Sequence, residues 1–252
     1  MLKIKILFLF VLCTLCFFSK NLFAKHSNIL QVIEFEKIHY SLTWNLLRVG
    51  EANLELKGFK NVHGTKARYA SLSVVTNDFL SSMFSLNANF ESLFEHNAKY
   101  SFEFISKIFQ DGKERYEHVI FDPQRQSYRL NSSGVINKGE TLKDAKDILT
   151  ALFCIRTLDL KLGYKYILNL HSQNISTPIT VKVLRKEQID TIFGQRNCFM
   201  VEPLIYQNST FGLDGRIFIW ITADVKKLPV YIKVESNIGV ISAKLTSFSN
   251  KK

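Results

Sequence analysis

At 252 residues, 46% of them hydrophobic and only 4 proline and 11 glycine, the chain can bury a sizeable core, which excludes a disordered or low-complexity protein. The formal net charge of +11 admits anionic partners such as lipid head groups, glycans or nucleic acid. Outside Lys251-Lys252, however, no dense Lys/Arg cluster occurs, so lysines solvating outward strand faces are the simpler reading and no nucleic-acid partner is expected.

The first 24 residues stand apart. Lys3 and Lys5 precede an apolar run, Ile6 to Phe18, and Leu22-Phe23-Ala24 offers a cleavage site after Ala24, the pattern of a secretory signal peptide. A membrane-spanning helix needs roughly 20 apolar residues, and Lys20 interrupts too soon. A lipoprotein anchor at Cys16 is disfavoured by the bulky Leu15 before it. Cleavage removes three lysines and no acid from the +11 chain, leaving +8 and no transmembrane span.

From Glu34 onward strand follows strand. Phe35 to Trp44 and Leu47 to Gly58 read as a hairpin, with Ala52, Leu54 and Leu56 on one face and Glu51, Asn53, Glu55 and Lys57 on the other. Ala67 to Thr76 is the next strand, and Asn77 to Ser82 breaks the pattern. Ala98 to Phe109 alternates Tyr100, Phe102, Phe104 and Ser106 against Ser101, Glu103 and Ile105. Asp111-Gly112 turns the chain into Glu114 to Phe121, because glycine supplies the positive φ that tight hairpins require. Ser127 to Leu130 closes this half, and the polar stretch Asn131 to Gly139 reads as a loop.

One helix is expected, Asp144 to Leu158. Ala145, Ile148, Leu152 and Ile155 recur at helical spacing, Leu149 and Phe153 widen the stripe, Asp144 can cap the first turn and Asp147 suits the helix dipole. Strands then resume over Tyr164 to His171, Ile179 to Arg185, Gln188 to Phe193 and Arg196 to Ile205. The last third, Gly215 to Phe248, is an antiparallel meander. Its first run, Ile217 to Ile221, is apolar on both faces and must be covered by something else. The fold class is therefore all-β with one central helix. A curved antiparallel sheet, half-barrel or clam-like, wraps that helix. Residues 25–252 form one domain, with β halves at about 34–131 and 163–249 joined by helix 144–158.

No chemistry-bearing motif stands out. The six histidines (His26, His39, His63, His96, His118 and His171) show no HxH or HExxH spacing, and no GxSxG elbow or phosphate-cradling glycine loop occurs, so neither an enzyme nor a metal or other cofactor is expected. Cys154 and Cys198 remain after cleavage. They either pair, closing a loop of about 45 residues worth roughly 4 kcal/mol, or pack as two buried thiols. Trp44, Phe90, Phe102, Phe153, Phe218 and Trp220 either line an apolar cavity between sheet and helix or simply fill that space. Arg48, Glu51 and Arg156 read as structural ion pairs or caps.

Several segments, in order, resemble the DUF3108 family: YSLTWNLLRVGEANLEL (Tyr40 to Leu56), FES (Phe90 to Ser92), Phe121-Asp122, DILTALFCIRTLDLKLG (Asp147 to Gly163), VEP (Val201 to Pro203) and GRIFIWITADVKKLPVYIKVES (Gly215 to Ser236). The resemblance implies an exported, periplasmic, β-rich protein of Gram-negative bacteria with no established function and no catalytic residues to carry over. The cysteine pair departs from that pattern. The strand–helix–strand plan is also similar to open β half-barrels that carry lipoproteins or sense lipids, an analogy of architecture alone. Two functions follow as expectations. One is a monomeric periplasmic protein binding a lipid or a lipoprotein acyl chain. The other is an envelope structural or interaction protein with a dry core.

Overall fold

In the computed structural model the described residues are 33–62, 64–77, 85–110, 112–172, 174–205, 215–237 and 239–251; the expected leader and cleavage site, residues 1–24, lie outside them. The first meander comprises β1 (Phe35–Trp44), β2 (Leu47–Val62), β3 (Thr65–Thr76), β4 (Leu86–Glu95), β5 (Ser101–Gln110), β6 (Lys113–Asp122), β7 (Ser127–Ser132) and β8 (Val135–Glu140). The one helix among the described residues, α1 (Ile148–Thr157), follows. The second meander is β9 (Lys165–Ser172), β10 (Ile175–Thr191), β11 (Gly194–Leu204), β12 (Gly215–Thr222), β13 (Pro229–Ser236) and β14 (Gly239–Lys251).

The fourteen strands of the described residues belong to one antiparallel sheet, because β14 pairs with the whole of β1 and fuses the two meanders at the middle. β8 and β9 are then the outer strands. A sheet this wide cannot stay flat, since each strand rotates by roughly 20° against its neighbour. Bulges add bend, with register shifts at His39/Tyr40, Leu42/Thr43, Leu56/Phe59, Leu93/Phe94, Val183/Arg185 and Trp220/Ile221. Strands β2 and β3 approach closely at Gly50, where an added Cβ would lie 2.1 Å from the Val75 carbonyl oxygen, so only glycine fits.

The sheet curls around α1, which touches β3, β4 and β9. Its inner face is the apolar phase of each strand: Ile38 and Tyr40 on β1, Leu54 and Leu56 on β2, Phe90 and Phe94 on β4, Val181 and Val183 on β10, Ile219 and Ile221 on β12. The helix is buried on nearly every side, Leu149, Thr150, Ala151 and Phe153 to Thr157 all being out of solvent. The stripe residue Leu152, by contrast, is only half-buried.

Four expectations need correction. The helix begins at Ile148, four residues late, because Ala145 to Asp147 run extended and are held by neighbouring strands. The Ser101 amide donates to the Ala145 carbonyl, and Lys146 bridges in parallel to Leu170. Asp144 instead sits in a turn at φ 56°. Asn131 to Gly139 is no loop but the β7–β8 hairpin, turned at Ser133-Gly134 with both residues at positive φ. Ile179 to Phe193 is not two strands, since the Val183/Arg185 bulge lies inside the continuous β10. Between the expected strands Ala67 to Thr76 and Ala98 to Phe109, Asn87 to Glu95 lies in β4.

Candidate functional site

Two buried polar clusters fix α1 inside the sheet. At its N-terminus Asp147 is the cap. Its Oδ1 accepts from the Leu149 and Thr150 amides at 2.8 and 2.9 Å, satisfying donors that the first turn leaves free. Its Oδ2 accepts from the hydroxyls of Ser101 (2.6 Å), Ser92 (2.7 Å) and Thr150 (2.7 Å). Ser92 and Ser101 come from β4 and β5, so the helix cap is also a tie to the sheet. Burial raises the Asp147 pKa above the usual carboxylate range, and these hydrogen bonds pull it back only in part.

The C-terminus is held by charge. Arg156 makes a two-pronged pair with Glu36 of β1, Nη1 to Oε1 at 2.6 Å and Nη2 to Oε2 at 2.8 Å, with both side chains buried. The remaining guanidinium donors reach the carbonyls of Lys227 (3.0 Å) and Lys226 (3.2 Å), and the Lys227 ammonium donates to the Leu158 carbonyl. The β12–β13 turn is thereby docked on the helix end. Burial disfavours the charged Arg156, but Glu36 more than offsets this and raises its pKa. Nearby Tyr40 donates to the Pro229 carbonyl at 2.8 Å, and burial drives its phenol far up.

The two ends of the sheet meet at a seam without a strand ladder between them. Tyr128 of β7 donates to the Asn174 carbonyl at 3.1 Å, and the His171 ring of β9 packs on Tyr128 and Phe121, with centroids 4.5 and 5.2 Å away. His171 Nδ1 bonds Ser176 Oγ at 2.9 Å, while its buried Nε2 has no protein partner. Burial lowers the His171 pKa to about 4, so the imidazole is neutral at pH 7. The ring lines a cavity of about 20 Å³, with Phe104, Glu117, Val119, Leu130 and Ile148 among its walls, large enough for one water. A shallow groove of about 260 Å³ runs along β6–β8 past Ile120, Arg129 and Lys138.

The six aromatic candidates separate. Phe90 beside the helix and Phe153 on it are both buried, stacked on Phe104 (6.2 Å) and Phe94 (5.3 Å) respectively. Phe102 is the extra residue of the β5 bulge, because Leu93 faces Glu103 while Phe94 faces Ser101. The bulge turns Ser101 toward the helix and leaves Phe102 half-exposed against Tyr100. Phe218 and Trp220 share the outer face with Met200 and Tyr231. There the Arg216 guanidinium covers Phe218 at 4.7 Å, and Trp220 lies against Tyr231 while donating to Glu187 at 2.5 Å. These contacts are the cover that the doubly apolar strand required. Trp44 stands partly exposed at the end of β1.

Cys154 on α1 and Cys198 on β11 are free, buried thiols, not the pair that the sequence left open. Burial raises both pKa values, that of Cys198 to about 11, and so favours the protonated thiol in each. Among the described residues no group of three or more His, Cys, Asp or Glu side chains could hold a metal ion. Arg48 and Glu51 form the expected surface pair at 2.6 Å.

Sequence reading missed Glu36, Ser92 and Ser101. Glu36 had a signal, since it falls in phase with Ile38 and Tyr40 on an apolar face, where a charge must be paired. Ser101 had none, because a bulge sets its direction.

The family model described as a protein of unknown function, DUF3108, matches residues 39–246. No curated protein matches this chain. Among solved structures the chain is similar to a β-barrel-like protein of the DUF1849 domain of unknown function from Brucella abortus. The TM-score is 0.60 and the identity 13%, over 87% of this chain and 99% of that one, a likeness of fold alone. A DUF1089 family protein from Pseudomonas aeruginosa gives a TM-score of 0.39 at 13% identity, over 74% and 90% of the two chains.

Proposed function

This chain belongs to the DUF3108 family of proteins of unknown function, and on that footing we propose that it is an exported cell-envelope protein that works through its outer surface and its free strand edge. The leader pattern of Met1 to Ala24 supports export to the periplasm. One observation carries the choice of surface over interior: the concave face is filled. The helix is tied in at both ends, the aromatic rings around it stack on one another, and the inner cavity has room for one water. Strand β8 is the contrasting feature. Among the described residues it pairs only with β7, and Val135 and Ile136 on it are exposed, which is the geometry that accepts an added strand.

A photo-crosslinking residue at Ile136, used in the living cell, tests this reading. A discrete adduct in the envelope fraction is expected. Absence of any adduct from Ile136 and from Val135 alike would overturn it.

A second reading, an apolar ligand such as a lipid or a lipoprotein acyl chain, is favoured by the seam, where the sheet stays unclosed between β8 and β9. Phe90 and Phe153 would then line the opened interior. Saturable binding of a fluorescent fatty acid, weakened by Phe153→Ala in a folded variant, would support that reading over the first.

A further inference from the structure

The β1–β2 hairpin tip carries an apolar cluster with no role in the core. Leu46 is 96% exposed, Leu47 58% and Trp44 36%. Val75 and Phe109, exposed on the outer face at the same end of the neighbouring strands, stand level with each other across β4, both being paired with Asn87. The turn at the other end of β2, by contrast, is polar: the Gly64 amide is capped by Asn61 Oδ1, and no large apolar residue is exposed there among the described residues. The tip is also clasped to the start of β14. The Asn45 amide donates to the Val240 carbonyl at 2.6 Å, and the Val240 amide returns a bond to Asn45 Oδ1 at 3.0 Å.

We propose that this tip docks the protein on an anionic phospholipid surface, with Leu46 and Leu47 entering the acyl boundary and Trp44 at the head-group level. A projecting tip of two leucines suits a soft apolar layer better than a shaped protein pocket. Tryptophan favours the membrane–water interface, where one end of the ring is apolar and the other wet. Arg48 follows directly, its side chain 62% exposed and bonded to Glu51 at 2.6 Å, with a stem long enough to reach lipid phosphate. The chain is net positive, +11 in full and +8 without Lys3, Lys5 and Lys20 of the leader, which draws it to an anionic rather than a neutral surface. Because the clasp to Val240 already fixes the tip, little ordering opposes insertion. This goes beyond the surface reading above and is independent of what β8 binds.

The test is vesicle flotation of the protein in the form the cell delivers, its N-terminus read by intact mass. Vesicles contain phosphatidylglycerol in phosphatidylcholine, with pure phosphatidylcholine as the comparison. Stronger flotation with the anionic vesicles is expected, falling as salt rises, and Leu46→Asp should weaken it roughly ten- to hundredfold. Leu46 is a solvent-exposed turn residue, so the variant keeps its fold, which circular dichroism checks. Trp44 should become shielded from acrylamide on vesicle addition, whereas buried Trp220 gives a constant background. Equal flotation of wild type and Leu46→Asp would overturn the proposal. So would unchanged quenching, or a dimer in sedimentation that Leu46→Asp dissolves, which would assign the tip to a second copy.

Discussion

The two ends of helix α1 are anchored by different physics. At the N-terminus one carboxylate gathers three hydroxyls and two amides, all of them neutral donors. At the C-terminus two full charges meet in a buried bidentate pair, ringed by carbonyls of the β12–β13 turn. The first cluster needs hydrogen bonds in given directions and gains little from the charge itself, since burial raises the Asp147 pKa. The second needs both charges together, because either one alone would be stranded in the core.

The largest expected effect lies at the charged end. Glu36→Gln should destabilise the fold by about 3–5 kcal/mol in urea unfolding, by leaving Arg156 without a counter-charge. Replacing both partners, Glu36→Leu with Arg156→Met, should recover most of that loss. If the double variant is as unstable as the single one, the pair serves as more than mutual compensation.

The seam extends the comparison to a third buried polar group. The folded-state pKa of His171 is depressed to about 4, below the ordinary 6.5, so folding favours the neutral ring. The resulting stability is present above pH 6.5 and is lost as pH falls toward 4, to a total of about 3 kcal/mol. His171→Phe should remove that slope. Thermal melts at stepped pH read it directly.

Smaller effects belong to the hydroxyl-lined end. Asp147→Ala should cost about 2 kcal/mol, for loss of the cap and of the partners of Ser92 and Ser101. Asp147→Asn keeps an acceptor for the two amides and offers donors to the hydroxyl oxygens, so its cost should stay below about 1 kcal/mol. The raised folded-state pKa of Asp147 means that its contribution is fully present below the unfolded value and declines as pH rises through the folded one; Asn should flatten this dependence. Chemical denaturation of the two variants side by side separates hydrogen bonding from charge.

The contrast also explains what was legible beforehand. Strand β1 was readable to the residue, Phe35 to Trp44, because an uninterrupted period of two marks its wet and dry faces. β10 was not, because the bulge at Val183/Arg185 reverses its phase midway and resembles a break between two strands. In sequence Asp144 reads as the cap and Asp147 as a first-turn charge; the hydroxyls of Ser92 and Ser101, distant along the chain, make Asp147 the cap instead. The aromatic candidates failed to converge for a related reason. Phe218 and Trp220 alternate with Ile219, yet which phase faces the helix follows from pairing with β11 and β13, a non-local fact. Leu46, two residues after the Trp44 candidate, drew no notice because so short a turn carries no periodicity.

The central claim is that helix α1 and its two anchors fill the interior, leaving function to the outside. Native mass spectrometry of the protein purified gently from its own envelope tests this most directly. The account predicts the bare polypeptide mass, unchanged by organic extraction. A stoichiometric lipid-sized adduct that extraction removes would contradict it.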